Sequence, residues 1–301
     1  MKNSNKTGRK LLLMLFFLFS VGNFAFAQDD LLQILEEEEV EGEKFIGSTF
    51  KGTRLINGHS VETRDKGALD FIISHRFGTI NSGVKNLFGL DDANIRLGLD
   101  YSLTDRFTIG VGRSSFQKVY DGFLKYRLLR QGNGGASPVS VVMYSNMSIN
   151  SLDWPNPERE YRSSDRYAFT HQLLVARKFS NSLSFQIMPS LVHRNLVSTA
   201  AEDNLIYAIG IGGRQKLTPS VALTFEYYYQ FNNYSPNAYQ NPIAIGFDIE
   251  TGGHVFQLHF TNSRPTFERG FMTETTGDFF NGDIHFGFNI TRTFQLHSKR
   301  R

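Results

Sequence analysis

Between positions 93 and 103 the chain alternates without a break. Ala93, Ile95, Leu97, Leu99, Tyr101 and Leu103 fall on one face of an extended segment, and Asn94, Arg96, Gly98, Asp100 and Ser102 fall on the other. A period of two over this length predicts a half-buried β-strand. The segment 221–231 repeats the pattern, with Val221, Leu223, Phe225, Tyr227, Tyr229 and Phe231 opposed to Ala222, Thr224, Glu226, Tyr228 and Gln230. Followed along the chain, the alternation predicts about twelve strands: 68–77, 93–103, 106–115, 119–129, 139–149, 166–179, 183–194, 204–216, 221–231, 242–250, 254–262 and 282–296.

The connections sort by length. Those at 104–105, 180–182, 217–220 and 251–253 are tight, and 130–138 is somewhat longer but rich in glycine. Those at 78–92, 150–165, 195–203, 232–241 and 263–281 are long and polar, and only the short link 116–118 breaks the parity. A soluble sandwich has no reason to place short and long connections at opposite ends. A transmembrane antiparallel up-and-down β-barrel does, with short turns in the periplasm, long loops outside and both termini periplasmic. The apolar face also carries aromatic residues near strand ends, where a barrel has its interfacial girdles. Tyr101, Phe107, Tyr126, Tyr167, Phe179, Tyr207, Tyr227, Phe231 and Phe286 are the candidates.

Upstream of the strands, Lys2, Lys6, Arg9 and Lys10 precede an apolar run over 11–19, and Ala25 and Ala27 flank Phe26 ahead of Gln28. This order predicts a signal peptide over 1–27, cleaved before Gln28. The apolar run is too short to span a bilayer, which takes about 20 apolar residues. The domain plan is then a signal peptide (1–27), an acidic N-terminal periplasmic segment (28–66), the barrel (67–297) and a basic tail (298–301).

Within 28–66, Leu31, Leu32, Ile34 and Leu35 precede the acidic run 36–39, Glu41 and Glu43. The pattern predicts a marginal amphipathic helix, either a partner-binding arm or simply a solvated leader. Asn57 and Gly58 then signal a type I′ turn, so 53–63 is expected to form a hairpin, lying under the barrel mouth or entering it as a plug.

Composition narrows the function. Loss of the four cations named above leaves 28 Lys and Arg against 29 Asp and Glu, so the basic character of the 301-residue chain belongs to the part that is discarded. Nothing favours nucleic acid. The chain has no Cys, which excludes disulfides, thiolate metal sites and a thiol nucleophile. With no second long apolar segment it is not a helical membrane bundle.

The polar face supplies the candidate chemistry. A charged side chain on so apolar a strand avoids lipid, so Asp70, Arg76, Arg96, Asp100, Lys125, Arg127, Arg194, Arg214, Glu226 and Asp248 are assigned to the lumen, with Gln172 and Gln257. Both signs are abundant. A selective pore tends towards rings of one sign, whereas opposed charges at one depth can pair and close a narrow barrel. Twelve strands leave either a narrow channel or a filled interior. No GxSxG or His-x-Ser-Asn motif is present, and Ser74 and His75 point to opposite faces, so no catalytic residue is assigned. His259 and His285 can meet in the lumen only in a suitable register, so no metal ligand or cofactor is assigned either.

Residues 50–63, with Asn57, Gly58 and His59, followed by 69–78, resemble the opening of an uncharacterised Gram-negative outer-membrane β-barrel family, a domain of unknown function. The likeness continues through Gly110 to Arg113 and Asp121 to Tyr126. It implies an outer-membrane barrel and no established activity. The segment 285–296 is similar to the terminal strand read by the barrel-assembly machinery, although the chain continues beyond it. The expectation is a porin-like channel for small polar solutes, in contact with outer-membrane lipid and assembled by that machinery. The alternative is a closed barrel that anchors loops or an arm, and a membrane-embedded enzyme ranks last.

Overall fold

The computed structural model describes residues 45–296, apart from 134–135, 155–157, 159, 198, 201, 233–238 and 252–253. The export signal, the acidic stretch 28–44 and the tail 298–301 lie outside the described residues.

Twelve strands form: β1 (Ala68–Thr79), β2 (Ala93–Ser102), β3 (Phe107–Ser114), β4 (Val119–Leu129), β5 (Ser140–Asn150) and β6 (Tyr167–Lys178) make the first half. The second half is β7 (Leu183–Arg194), β8 (Leu205–Lys216), β9 (Val221–Gln230), β10 (Ile243–Thr251), β11 (His254–Thr261) and β12 (His285–Gln295). Each pairs with its sequence neighbours, and β1 closes on β12 in antiparallel register, Ala68 opposite Gln295 and Ile73 opposite Ile290. Closure leaves no unpaired edge.

The alternation is realised inside out. On β2, Ile95, Leu97 and Leu99 are exposed, while Asn94, Arg96 and Asp100 are buried. Around the wall Val111, Leu124, Met143, Phe225, Ile245 and Leu258 are exposed in the same way. In water such a belt would lose about 25 cal/mol for every Å² left uncovered, so its stable environment is lipid. The nine girdle candidates all lie on this outer side or just past its strand ends. By strand position Tyr101, Phe107, Tyr126 and Phe179 sit towards the short-turn end, and Tyr167, Tyr207, Tyr227, Phe231 and Phe286 towards the long-loop end. Two bands result, separated by aliphatic residues.

The interior is filled by chain that is not part of the wall. Residues 45–66 enter at the short-turn end, where Phe45 bridges Gly132 and the Ile46 N–H donates to the Gln131 carbonyl at 3.1 Å. They climb to a tight turn and return to β1. From the opposite end the β11–β12 connection folds inward and forms a six-residue helix, α1 (Glu268–Thr273), burying Phe267, Phe271 and Met272.

Two expectations are corrected here. The β11–β12 connection is not a solvated outer loop. Phe267, at the N-cap of α1, and Phe271 within it can leave water only by entering the lumen. The hairpin turn is not type I′. Its central residues are Ile56 and Asn57, with the Leu55 N–H donating to the Gly58 carbonyl at 2.9 Å, and neither Asn57 nor Gly58 has positive φ. Gly58 is needed for space instead, since a Cβ there would collide with the Tyr228 hydroxyl.

Candidate functional site

The hairpin tip is held by the wall, backbone first. Its turn presents N–H groups in one direction, and the Glu226 carboxylate on β9 accepts from all three: Ile56 at 3.1 Å, Asn57 at 3.2 Å and Gly58 at 3.1 Å. Successive N–H groups converging on a carboxylate form an anion nest, and bonds to a charged acceptor are about twice as strong as neutral ones. Carbonyls of the same turn are also satisfied by the wall. Gln257 Nε2 donates to Leu55 O at 2.6 Å, Asn289 Nδ2 to Ile56 O at 2.9 Å, and Arg76 Nη2 to the Asn57 side-chain oxygen at 2.6 Å.

The returning arm is clamped likewise. Gln186 accepts the Val61 N–H at 2.9 Å and donates to the His59 carbonyl at 2.8 Å, while Lys125 Nζ donates to the Glu62 carbonyl at 2.5 Å. Glu62 accepts the N–H groups of Thr49 and Phe50, tying the entering arm to the leaving one. At the short-turn mouth Thr63 and Lys66 bond to Asp105.

His59 lies against Phe123 and Tyr144, with ring centroids 4.6 and 4.3 Å away. Burial, and then the charges of Arg54, Lys125 and Arg96, hold its imidazole well below its ordinary pKa, so it is neutral. Its Nε2 is 3.4 Å from Glu268 Oε1 on α1, but that oxygen already accepts from Arg54 Nη1 at 3.2 Å. Phe271 of α1 packs on Tyr228, centroids 5.4 Å apart. The two insertions therefore meet inside the barrel.

Nine of the ten lumen candidates are buried inward: Asp70, Arg76, Arg96, Asp100, Lys125, Arg194, Arg214, Glu226 and Asp248. Arg127 keeps the inward face but sits half-buried at the short-turn rim, where the β4–β5 register slips, and donates to the Asp105 carbonyl. Three of the nine, Arg76, Lys125 and Glu226, grip the hairpin directly. Others pair with the wall, with the base of the hairpin or with a loop. Asp70 takes Arg64 at 3.0 Å and Thr293 at 2.6 Å, Asp248 takes Gln257 at 2.9 Å, and Arg194 pairs with Glu202 at 3.4 Å. Arg96 is matched by Asp121 through Nε at 2.9 Å and through Nη2. It lies flat on the wall because Gly112, across the strand, has no Cβ to strike the guanidinium.

Sequence reasoning passed over Asp121, Gln186 and Asn289, all on the polar side of the alternation, and also Glu268 and the role of His59. The strand period was the available signal for the first three. For Glu268 it was the apolar pair around it.

His285 Nδ1 lies 2.8 Å from the Phe77 carbonyl, His259 has no hydrogen-bond partner, and no group of three or more His, Asp or Glu is placed to hold a metal among the described residues. One polar pair faces lipid. Ser145 on β5 and His171 on β6 are cross-strand neighbours, with Oγ and Nδ1 2.9 Å apart. A motif scan along one strand cannot find a pair made by register. The outward side chains around it are Phe107, Leu124, Tyr126, Met143, Leu173, Pro189 and Leu191, and among the described residues the Tyr126 hydroxyl makes no hydrogen bond to the imidazole.

The chain matches the family model described as a membrane bound beta barrel domain (DUF5777) over residues 50–294. Among curated proteins nothing matches. Similar solved structures include the COG4313 outer membrane channel from Pseudomonas putida F1, 13% identical over 78% of this chain and 98% of that one, with a TM-score of 0.47. The KdgM porin is 8% identical over 76% and 99%, with a TM-score of 0.43. Omp33 from Acinetobacter baumannii is 10% identical over 76% and 99%, with a TM-score of 0.41.

Proposed function

We propose, for a chain that belongs to the DUF5777 family of membrane-bound β-barrel domains, that it is a gated outer-membrane channel for small polar solutes, shut by its own N-terminal hairpin. The export signal and the closed, lipid-facing wall support the outer membrane as its site. In this orientation the hairpin enters from the periplasmic end, and the long loops other than the β11–β12 connection face outward.

The observation that carries the proposal is the Glu226 nest. The lumen is filled in part by a segment outside the wall whose turn is held by polar wall side chains, beside an apolar contact in which Phe50, Leu55 and Val61 join Phe123, Tyr144, Met188 and Tyr228. Exchanging such bonds for bonds to water has a small net free energy, about 1 kcal/mol for a neutral pair and somewhat more for a charged one. A wall that presents Asp100, Asn146, Thr170 and Thr224 with polar atoms unpartnered among the described residues is already suited to a hydrated interior.

Planar-bilayer recordings test this. The mature protein should be silent for most of the record, and a variant lacking residues 28–66 should conduct. Glu226→Gln, which keeps the hairpin but weakens its hold, should open intermittently. If the deletion variant retains the heat-modifiable mobility of a folded barrel and still passes no current, the channel proposal fails and the closed anchor takes its place.

A further inference from the structure

The β1–β2 connection is the one long loop whose described residues turn several large apolar side chains outward. Val84, Leu87, Phe88 and Leu90 are all exposed, Val84 at 75%, and Phe280 on the adjoining β11–β12 connection is exposed at 88%. Among the described residues of the connections at 150–165 and 195–203, Leu152 is the one large apolar side chain left exposed. Single exposed apolar residues are ordinary on any protein, whereas a group of them marks a surface that something covers.

The loop that carries them is tied down. The Gly78 N–H donates to the Asp92 carbonyl at 2.9 Å, the Ile80 N–H to the Ile284 carbonyl at 2.8 Å, and Asn81 Nδ2 to Asp283 Oδ1 at 2.6 Å, so the two connections form one unit. Leu87 and Phe88 take φ of 44° and 53°, a region that bulky L residues avoid. Such strain persists only where the surrounding structure over-determines it, and here it accompanies two large apolar side chains held outside.

One close approach fixes the height of the patch. Gly89, at φ 86°, lies so near Gly78 that a Cβ on it would stand 2.5 Å from the Gly78 carbonyl carbon. Gly78 directly follows Phe77, which stacks on Phe286 with centroids 5.7 Å apart, and Phe286 lies 5.5 Å from Phe260. These three rings belong to the outer face at the long-loop end of β1, β12 and β11. Phe88 and Leu90 flank Gly89, so they sit within a residue or two of this aromatic band, and neither lines the cavity at the long-loop mouth.

We propose that the β1–β2 and β11–β12 connections form an apolar foot that inserts into the bilayer surface at the long-loop end, with Val84, Leu87, Phe88, Leu90 and Phe280 among the lipid headgroups and upper chains. The occupant is lipid because the patch adjoins the aromatic band of a lipid-facing wall, at the depth where aromatic side chains settle. Lys85, the one charged residue between 84 and 90, suits the same place, since its stem lies on apolar surface while its ammonium meets phosphate. The foot stands on one side of the ring, and it depends on the wall facing lipid, not on the lumen opening.

Trp154, on the β5–β6 connection, is the only Trp in the chain. Phe88→Trp and Phe280→Trp, each combined with Trp154→Phe and each shown to be folded by heat-modifiable mobility, put a reporter in the foot, and the parent supplies the reference. The full-length mature proteins are reconstituted into phosphatidylcholine vesicles with or without bromine on the upper acyl chains. Emission from both foot reporters should fall by about half in the brominated vesicles and resist aqueous acrylamide, as for side chains seated at the interface, whereas Trp154 should not respond to bromine. Acrylamide quenching without bromine quenching at both foot positions would overturn the proposal. So would equal bromine quenching of Trp154, or foot emission that follows the protein-to-lipid ratio and ignores bromine, which would assign the patch to a second copy of the chain.

Discussion

Arg54 of the hairpin and Glu268 of α1 approach to 3.2 Å deep inside the barrel, although 214 residues separate them in the chain. One belongs to a segment that enters at the short-turn end and the other to a connection that enters at the long-loop end. The two insertions meet at this ion pair inside the lumen.

That contact predicts coupling between the two ends. Glu268→Gln removes the buried carboxylate facing Arg54 and His59, leaving the Arg54 charge without its partner. Loss of one member of a buried ion pair costs about 3–5 kcal/mol. Protease cleavage within 51–64 in the folded barrel should therefore accelerate by more than tenfold, although the substitution lies on the opposite insertion. An unchanged cleavage rate would show that the two insertions are held independently.

Glu226 predicts a graded effect at the turn. Glu226→Gln keeps one acceptor oxygen and adds two donors to a nest built entirely of donors. The docked hairpin should weaken by about 2 kcal/mol, within the range for hydrogen bonds to a charged group. Wall stability, followed by heat-modifiable mobility, should hardly change. A large drop in wall stability would mean that the hairpin is part of the barrel's folding core and not a gate.

His59 predicts acid sensitivity. Its pKa in the docked hairpin is depressed below the ordinary value of 6.5, first by burial and then by Arg54, Lys125 and Arg96. The released hairpin therefore binds a proton more readily than the docked one, and docking strengthens as pH rises towards 6.5. Its contribution is full above the released value and is lost progressively as pH falls from there towards the docked value. Conductance or cleavage of the hairpin should increase between pH 7 and pH 5, and His59→Asn should flatten that dependence. A profile that is steep in both proteins would assign the titration to another group.

Arg96 and Asp121 predict the behaviour of a paired charge in the wall. Asp121→Asn should destabilise the barrel by about 3–5 kcal/mol, since Arg96 is left buried and uncompensated. The double variant Arg96→Met, Asp121→Leu should be far closer to the parent than Asp121→Asn is. Urea unfolding in detergent micelles compares the three, and additive losses in the double variant would contradict the pairing.

Ser145 and His171 predict a structural pair and no nucleophile. With no third group hydrogen-bonded to the imidazole among the described residues, Ser145 should not react with a fluorophosphonate, and membrane lipid composition should be the same with Ser145→Ala. The single variant leaves an imidazole unpaired against lipid and should cost about 1–2 kcal/mol. Covalent labelling at Ser145 would reopen an enzymatic role.

The strand count, the alternation and the sorting of short and long connections were legible in the chain because each is a local property. A period of two says which side chains share a face, and a charge on a lipid-facing face is too costly to leave the inward assignment of Arg96, Asp100 or Glu226 in doubt. Partners are not local. Asp121 is set beside Arg96 by the joint register of β2, β3 and β4, and Ser145 meets His171 through the register of β5 and β6. A pairing shifted by one residue would bring together different side chains.

The chain by itself determined a membrane barrel with a polar interior, since hydrophobic periodicity and the requirement to satisfy every backbone group in lipid admit little else. Only the tertiary structure decided what occupies that interior. The turn at Ile56 and Asn57 is shaped by a carboxylate 170 residues away, and α1 turns inward because Phe267 and Phe271 find their apolar surroundings only across the lumen. Those are contacts between elements, and their free energies appear in no single stretch of sequence.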